Sequence, residues 1–130
     1  MSEDLRKGTV CFIVKDGKVL LALIEYGPND RKWNGLGGWA EEGESIEDAV
    51  VREIKEETYL EVDKNSLKKV HELYDTRQLN VFTATNWTGE VKARERSIKE
   101  LQWFNVKDLP FDQMLPGTDK WLPRALYGMT

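Results

Sequence analysis

Residues Gly37 to Thr58 read GGWAEEGESIEDAVVREIKEET. A glycine pair opens the stretch and a run with helical period closes it. Ser45 is a good N-cap, and Glu47 and Asp48 suit the positive end of a helix, predicted from Ile46 to about Thr58. At about 100° per residue, Ile46, Ala49, Val50, Ile54 and Leu60 fall within an arc of roughly 140°, a core-facing stripe. Glu53 and Glu57 project into the middle of that arc. Glu56 lies near its edge, and Arg52 lies further round, one turn before Glu56.

A carboxylate on a buried face needs a cation, a proton or hydrogen bonds. Arg52 offers one positive charge against Glu44, Glu53, Glu56 and Glu57. The surplus calls for a divalent metal. The chain has one cysteine, Cys11, and one histidine, His71, so a Cys/His zinc site is excluded and carboxylate oxygens must do the binding. That donor set favours magnesium, with manganese as the alternative. Magnesium keeps several waters and shares its coordination with substrate phosphates. Gly37, Gly38 and Gly43 then allow either close approach of backbone to a ligand or plain turns.

Outward from this stretch, Thr9–Val14 and Val19–Ile24 are apolar runs joined by KDGK, a strong hairpin signal. EYGPNDRKWNGLGG reads as a loop returning to a short strand at the glycines. Leu67–Tyr74, Leu79–Trp87 and Leu101–Val106 alternate as three further strands. KDLPFDQMLPGTDKWLPRALYG is predicted to feed a second helix, capped by Thr118 or Asp119 and with Pro123 in or just beyond its first turn. The expected fold class is α/β, with a mixed sheet and two helices.

A chain of 130 residues with 40% hydrophobic content reads as one domain, 1–130, able to bury a core. Its net charge of -4 and pI near 5.1 give no general basic field for a nucleic-acid polymer. The charged start MSEDLRKG, and the lack of an apolar run of about 18 residues, predict a cytoplasmic protein without a membrane partner. Cys11, within VCFIV, reads as packing rather than as a nucleophile, and His71 likewise has no site role.

The acidic stretch resembles the Nudix box of the nucleoside-diphosphate-linked-moiety hydrolases: Gly, five residues, Glu, seven residues, Arg-Glu-apolar-x-Glu-Glu-x-Gly-apolar. Gly38, Glu44, Arg52, Glu53, Ile54, Glu56, Glu57 and Leu60 match at that spacing, and Tyr59 stands where the family has glycine. The likeness extends to the MutT-like oxidised-purine nucleotide hydrolases through RKWNGLGG before the box, Trp103-Phe104, LPFDQM from Leu109 and KWLP from Lys120. It implies the Nudix fold, an α/β/α sandwich around a central mixed sheet.

It also implies a metal-dependent pyrophosphohydrolase that cleaves a nucleoside triphosphate, such as 8-oxo-dGTP, to the monophosphate and pyrophosphate. By this resemblance Glu53, Glu56, Glu57 and Gly38 form the metal site, and Arg52, Glu53 and Glu56 the catalytic group. Arg52 would orient Glu56 or Glu53, while Glu44 would bind through water or brace the loop. The general base is Glu53, or Glu95 or Glu100 from RERSIKE. Asn34 is the expected contact to the base, with Trp33, Gly38 and Thr9 as the other substrate residues. Animal oxidised-purine enzymes carry neighbouring aspartates where this chain has Gly117 and Thr118, with only Asp119 nearby. Tyr74 lies in the region where dinucleoside-polyphosphate hydrolases have a tyrosine. That substrate class, and a nucleotide-binding domain without turnover, are the alternatives. Oligomeric state stays open.

Overall fold

Alternating apolar residues build the sheet that carries everything else in this computed structural model, which describes residues 5–127. Its strands are β1 (Arg6–Lys15), β2 (Lys18–Gly27), β3 (Asp30–Asn34), β5 (Lys68–Tyr74), β6 (Arg77–Ala84) and β8 (Ile98–Asn105). A shorter pair, β4 (Glu61–Val62) and β7 (Trp87–Thr88), forms a separate two-stranded sheet. The helices are α1 (Ile46–Thr58) and α2 (Leu122–Ala125). In the main sheet the order is β3-β2-β1-β6-β5, with β8 also paired to β2. β1 and β6 run parallel, in register from Arg6–Arg77 to Ile13–Ala84, and the other pairs are antiparallel, so the sheet is mixed as expected.

The period-two alternation divides the core into two layers. Cys11, Ile13, Leu20, Ala22, Phe82 and Ala84 face α1, where they meet Val50 and Ile54. Phe12, Val14, Val19, Leu21 and Val81 point the other way and meet Leu122, Ala125 and Leu126 around α2. Cys11 is fully buried, and burial pushes its thiol pKa up, so it is packing material. The His71 ring stacks on Trp121 at 4.8 Å, away from the acidic residues.

α1 has the expected bounds. The Ser45 hydroxyl oxygen accepts a hydrogen bond from the Asp48 amide at 3.1 Å, closing the first turn. Tyr59 ends the helix in the left-handed region, at φ 69°, and donates its amide to the Lys55 carbonyl.

Other boundaries differ from the sequence reading for local reasons. The expected loop from Glu25 contains β3. Its turn residues are confined to the tip, where Asn29 has φ 59°, and Asp30–Asn34 then pairs with the outer half of β2. The glycines form no strand of their own; the chain there bridges to β1 at Gly8–Trp39 and Cys11–Leu36. The run from Leu79 to Trp87 breaks after Ala84, and its end joins β4. Neither Thr118 nor Asp119 caps α2. They lie in a 3-10 turn, Thr118–Lys120, where the Thr118 hydroxyl donates to the Leu115 carbonyl, and the helix starts after Trp121 with Pro123 in its first turn. Among the described residues, no helix is long and apolar enough to cross a membrane.

Candidate active site

Past the β1–β2 hairpin the two strands diverge, and the chain from Gly35 to Trp39 runs along β1 in the space between them. Thr9 and Gly38 clip this segment in place. The Thr9 amide donates to the Gly38 carbonyl at 2.8 Å, and the Thr9 hydroxyl exchanges hydrogen bonds with the Gly38 backbone at 3.2 and 3.3 Å. Both glycines are required for room rather than for turning. Neither has positive φ, a β-carbon on Gly37 would collide with the Thr9 carbonyl, and one on Gly38 would collide with the Glu53 carboxylate. Gly43, by contrast, is a turn residue at φ 81° with open space around it.

Against this segment α1 presents the acidic residues. Glu57 is only 7% exposed, and its Oε1 accepts the Gly37 amide at 2.9 Å. Burial, then the charges of Glu95 and Glu53, push its pKa up to about 8. Burial also raises Glu53, although Arg52 opposes that shift with a hydrogen bond of 2.6 Å. These two carboxylates, one helical turn apart, share a cleft of about 380 Å³ with Thr9, Tyr26, Asn34, Arg77 and Glu95.

Arg52 lies behind the cleft and gathers its neighbours. It donates to Glu44 at 2.8 and 2.9 Å, to Glu53, to Glu56 at 3.0 Å and to the Trp39 carbonyl at 3.0 Å. The hydrogen bond from Arg52 holds the Glu44 pKa down to about 2, and Glu44 also accepts the Glu41 amide. Glu44 therefore braces the loop. Glu56 is half exposed and turned toward Arg52 rather than into the cleft, because it sits about 100° round the helix from Glu57.

Asn34 lines the cleft, but its carboxamide oxygen accepts the Gly35 amide at 2.8 Å and its Nδ2 donates to the Tyr26 hydroxyl at 3.2 Å, leaving one N–H without a partner among the described residues. Trp33 does not join it. The indole is buried in the α2-side layer, edge-on to Phe104 at 4.8 Å, since neighbours on a strand face opposite ways. Glu95 reaches the cleft, whereas Glu100 is exposed along β8, opposite Leu23. Tyr74 is exposed and bonded to Gln78, outside the acid-lined cleft. Tyr26, Arg77, Ser97 and Leu115 line the cleft without any signal in the sequence. Arg77 gets there through the β1–β6 register, and its guanidinium lies 5.9 Å from the Trp39 ring, which Arg6 covers at 3.9 Å.

The donor set suits a hard cation. Two carboxylates on one wall have raised affinity for protons, and Glu57 is hydrogen-bonded by a backbone amide rather than by a basic side chain. Among the described residues no three acidic, histidine or cysteine side chains converge on one point. Magnesium does not need them to, since one or two carboxylates with waters and substrate phosphates complete its shell. The Gly38 carbonyl accepts both the Thr9 amide and the Thr9 hydroxyl.

A mixed sheet between two helical layers, with this glycine segment and this acidic helix, defines a hydrolase of the Nudix family. The chain belongs to that family: the NUDIX domain model matches residues 4–125. It is 34% identical over 125 residues to the oxidized purine nucleoside triphosphate hydrolase of Danio rerio, covering 91% of this chain and 78% of that protein. Identity to the Mus musculus protein of the same name is 31%, with the same coverage. The crystal structure of a MutT NUDIX hydrolase from Burkholderia pseudomallei superposes with a TM-score of 0.79 at 30% identity, covering 94% of this chain and 98% of that one. Nudix hydrolases generally need divalent metal ions.

Proposed function

We propose that this chain is a magnesium-dependent pyrophosphohydrolase that converts a purine nucleoside triphosphate, with oxidised purines such as 8-oxo-dGTP as the leading substrates, to the monophosphate and pyrophosphate. The observation that carries this reading is the pairing of Glu53 and Glu57 on one wall of a cleft whose other walls hold Asn34, Tyr26 and Arg77. A carboxylate pair that resists ionisation has use for a divalent cation, and the opposite wall offers hydrogen bonds to a base. The likeness to the fish and mouse oxidized purine nucleoside triphosphate hydrolases supports the substrate class.

In this reading Glu53 and Glu57 would hold magnesium, with Glu56 kept beside them by Arg52. Bound magnesium would supply neutralising charge to the phosphate oxygens. Arg52 fixes the rotamers of Glu53, Glu56 and Glu44, and is a positioning residue. Arg77 offers the phosphates a fixed positive charge. Glu95, exposed on the lip, takes the proton of the attacking water as its oxygen bonds to phosphorus, while the anhydride bond breaks and the bridging oxygen departs with the leaving phosphate group. Asn34 and the Tyr26 hydroxyl select the base.

The test is a panel of dGTP, 8-oxo-dGTP, dATP, a pyrimidine triphosphate and a dinucleoside polyphosphate, each with magnesium and with chelator. Magnesium-dependent release of pyrophosphate, fastest from a purine triphosphate, is expected. Preference for the dinucleoside polyphosphate would replace the substrate class, and binding without turnover would overturn the hydrolase reading.

A further inference from the structure

Tyr59 occupies a left-handed position, φ 69°, that favours glycine, and the residue is 54% exposed. Such a conformation persists when neighbouring structure holds it. Here the neighbour is Arg94, whose guanidinium lies 4.0 Å from the centre of the Tyr59 ring and donates to the Lys55 carbonyl at 3.2 Å. The backbone of the same loop takes up more of the open carbonyls at the end of α1. Arg94 donates its amide to Glu57 O at 2.8 Å, and Lys92 donates to Thr58 O at 3.3 Å. Beyond Arg94 the chain makes one turn, closed by the Ile98 amide on the Glu95 carbonyl at 3.1 Å, and enters β8. Glu95 is thus the first residue past the anchor, and it lines the cleft with Glu53 and Glu57.

We propose that Tyr59 and Arg94 form a clamp that locks the Lys92–Arg94 loop onto the C-terminal end of α1 and so positions Glu95 over the reacting phosphate. The clamp rests on the hydrolase reading and on the role given there to Glu95. Tyr59 touches no reacting atom and is a positioning residue. A glycine would relieve the backbone yet release the guanidinium, so the ring offsets the strain at the helix end by holding Arg94.

Two measurements on the full chain test this. In metal-free protein, Tyr59→Gly should speed amide hydrogen exchange at Arg94 by roughly 3- to 10-fold, and Tyr59→Phe, which keeps the ring, should not. Under saturating magnesium, Tyr59→Gly should lower kcat by a similar roughly 3- to 10-fold with little change in KM, Tyr59→Phe should restore it, and the loss should vanish when Glu95→Gln is already present. An unchanged exchange rate, or an equal loss with and without Glu95→Gln, overturns the clamp while leaving the hydrolase reading intact. Full activity in Glu95→Gln alone removes the role of Glu95, and the clamp with it. Absence of turnover in the wild type instead strikes at the hydrolase reading.

Discussion

Glu57 is 7% exposed, and burial raises its pKa to about 8, against an ordinary value of 4.5. Between those values the folded state holds a proton that the unfolded state has lost, so this group favours folding at low pH. Its contribution falls as pH rises through the window. Thermal melts of metal-free protein should therefore show Tm falling from pH 5 to pH 9. Glu57→Gln should remove that component of the slope, and saturating magnesium should restore stability at the alkaline end. A Tm that rises with pH in metal-free wild type but not in Glu57→Gln would contradict the burial argument. The same substitution should cut turnover by ~1000-fold or more, because the metal loses a charged ligand while the fold keeps its Gly37 hydrogen bond. Steady-state rates with magnesium check this. The pair Glu53 and Glu57 was legible in the sequence, since helical period alone sets two carboxylates four residues apart on one face. Arg52 was legible as the local counter-charge, but its grip on the Trp39 carbonyl was not, because that contact belongs to the loop's path.

Among the elements, α1 could be read to its ends because cap, charge bias and apolar stripe agree, whereas β3 could not. Gly27, Pro28 and Asn29 give the whole surrounding segment a loop-like composition, yet the strand that follows is held by long-range pairing with β2. Trp33 and Asn34 look like joint substrate contacts in a loop, but on a strand one must face the core. Asn34→Ala should accordingly lower kcat/KM for purine triphosphates by ~1 to 3 kcal/mol while barely affecting tripolyphosphate, which lacks a base. Equal losses on both would make Asn34 a turn residue, serving only the Gly35 amide. The glycine segment makes its own prediction. Gly37→Ala drives a β-carbon into the Thr9 carbonyl and should cost about 1–3 kcal/mol of stability by urea titration, because backbone on both sides must shift.

For the molecule as a whole, the cleft draws on residues from Gly8 to Leu115, assembled by the parallel β1–β6 pairing and by β8 lying against β2. Such pairings are non-local, and so Arg77, Tyr26 and Leu115 left no mark in the sequence although they line the same space as the box glutamates. In the proposed reaction the Glu53–Glu57 wall drives metal-dependent cleavage of the triphosphate anhydride. The most direct measurement is phosphorus NMR of the products formed from a purine nucleoside triphosphate by wild type and by Glu53→Gln, each with and without magnesium. Equal amounts of monophosphate and pyrophosphate are expected from wild type with magnesium alone, and almost none from the variant. Orthophosphate as the primary product, or undiminished pyrophosphate from Glu53→Gln, would contradict the proposed reaction.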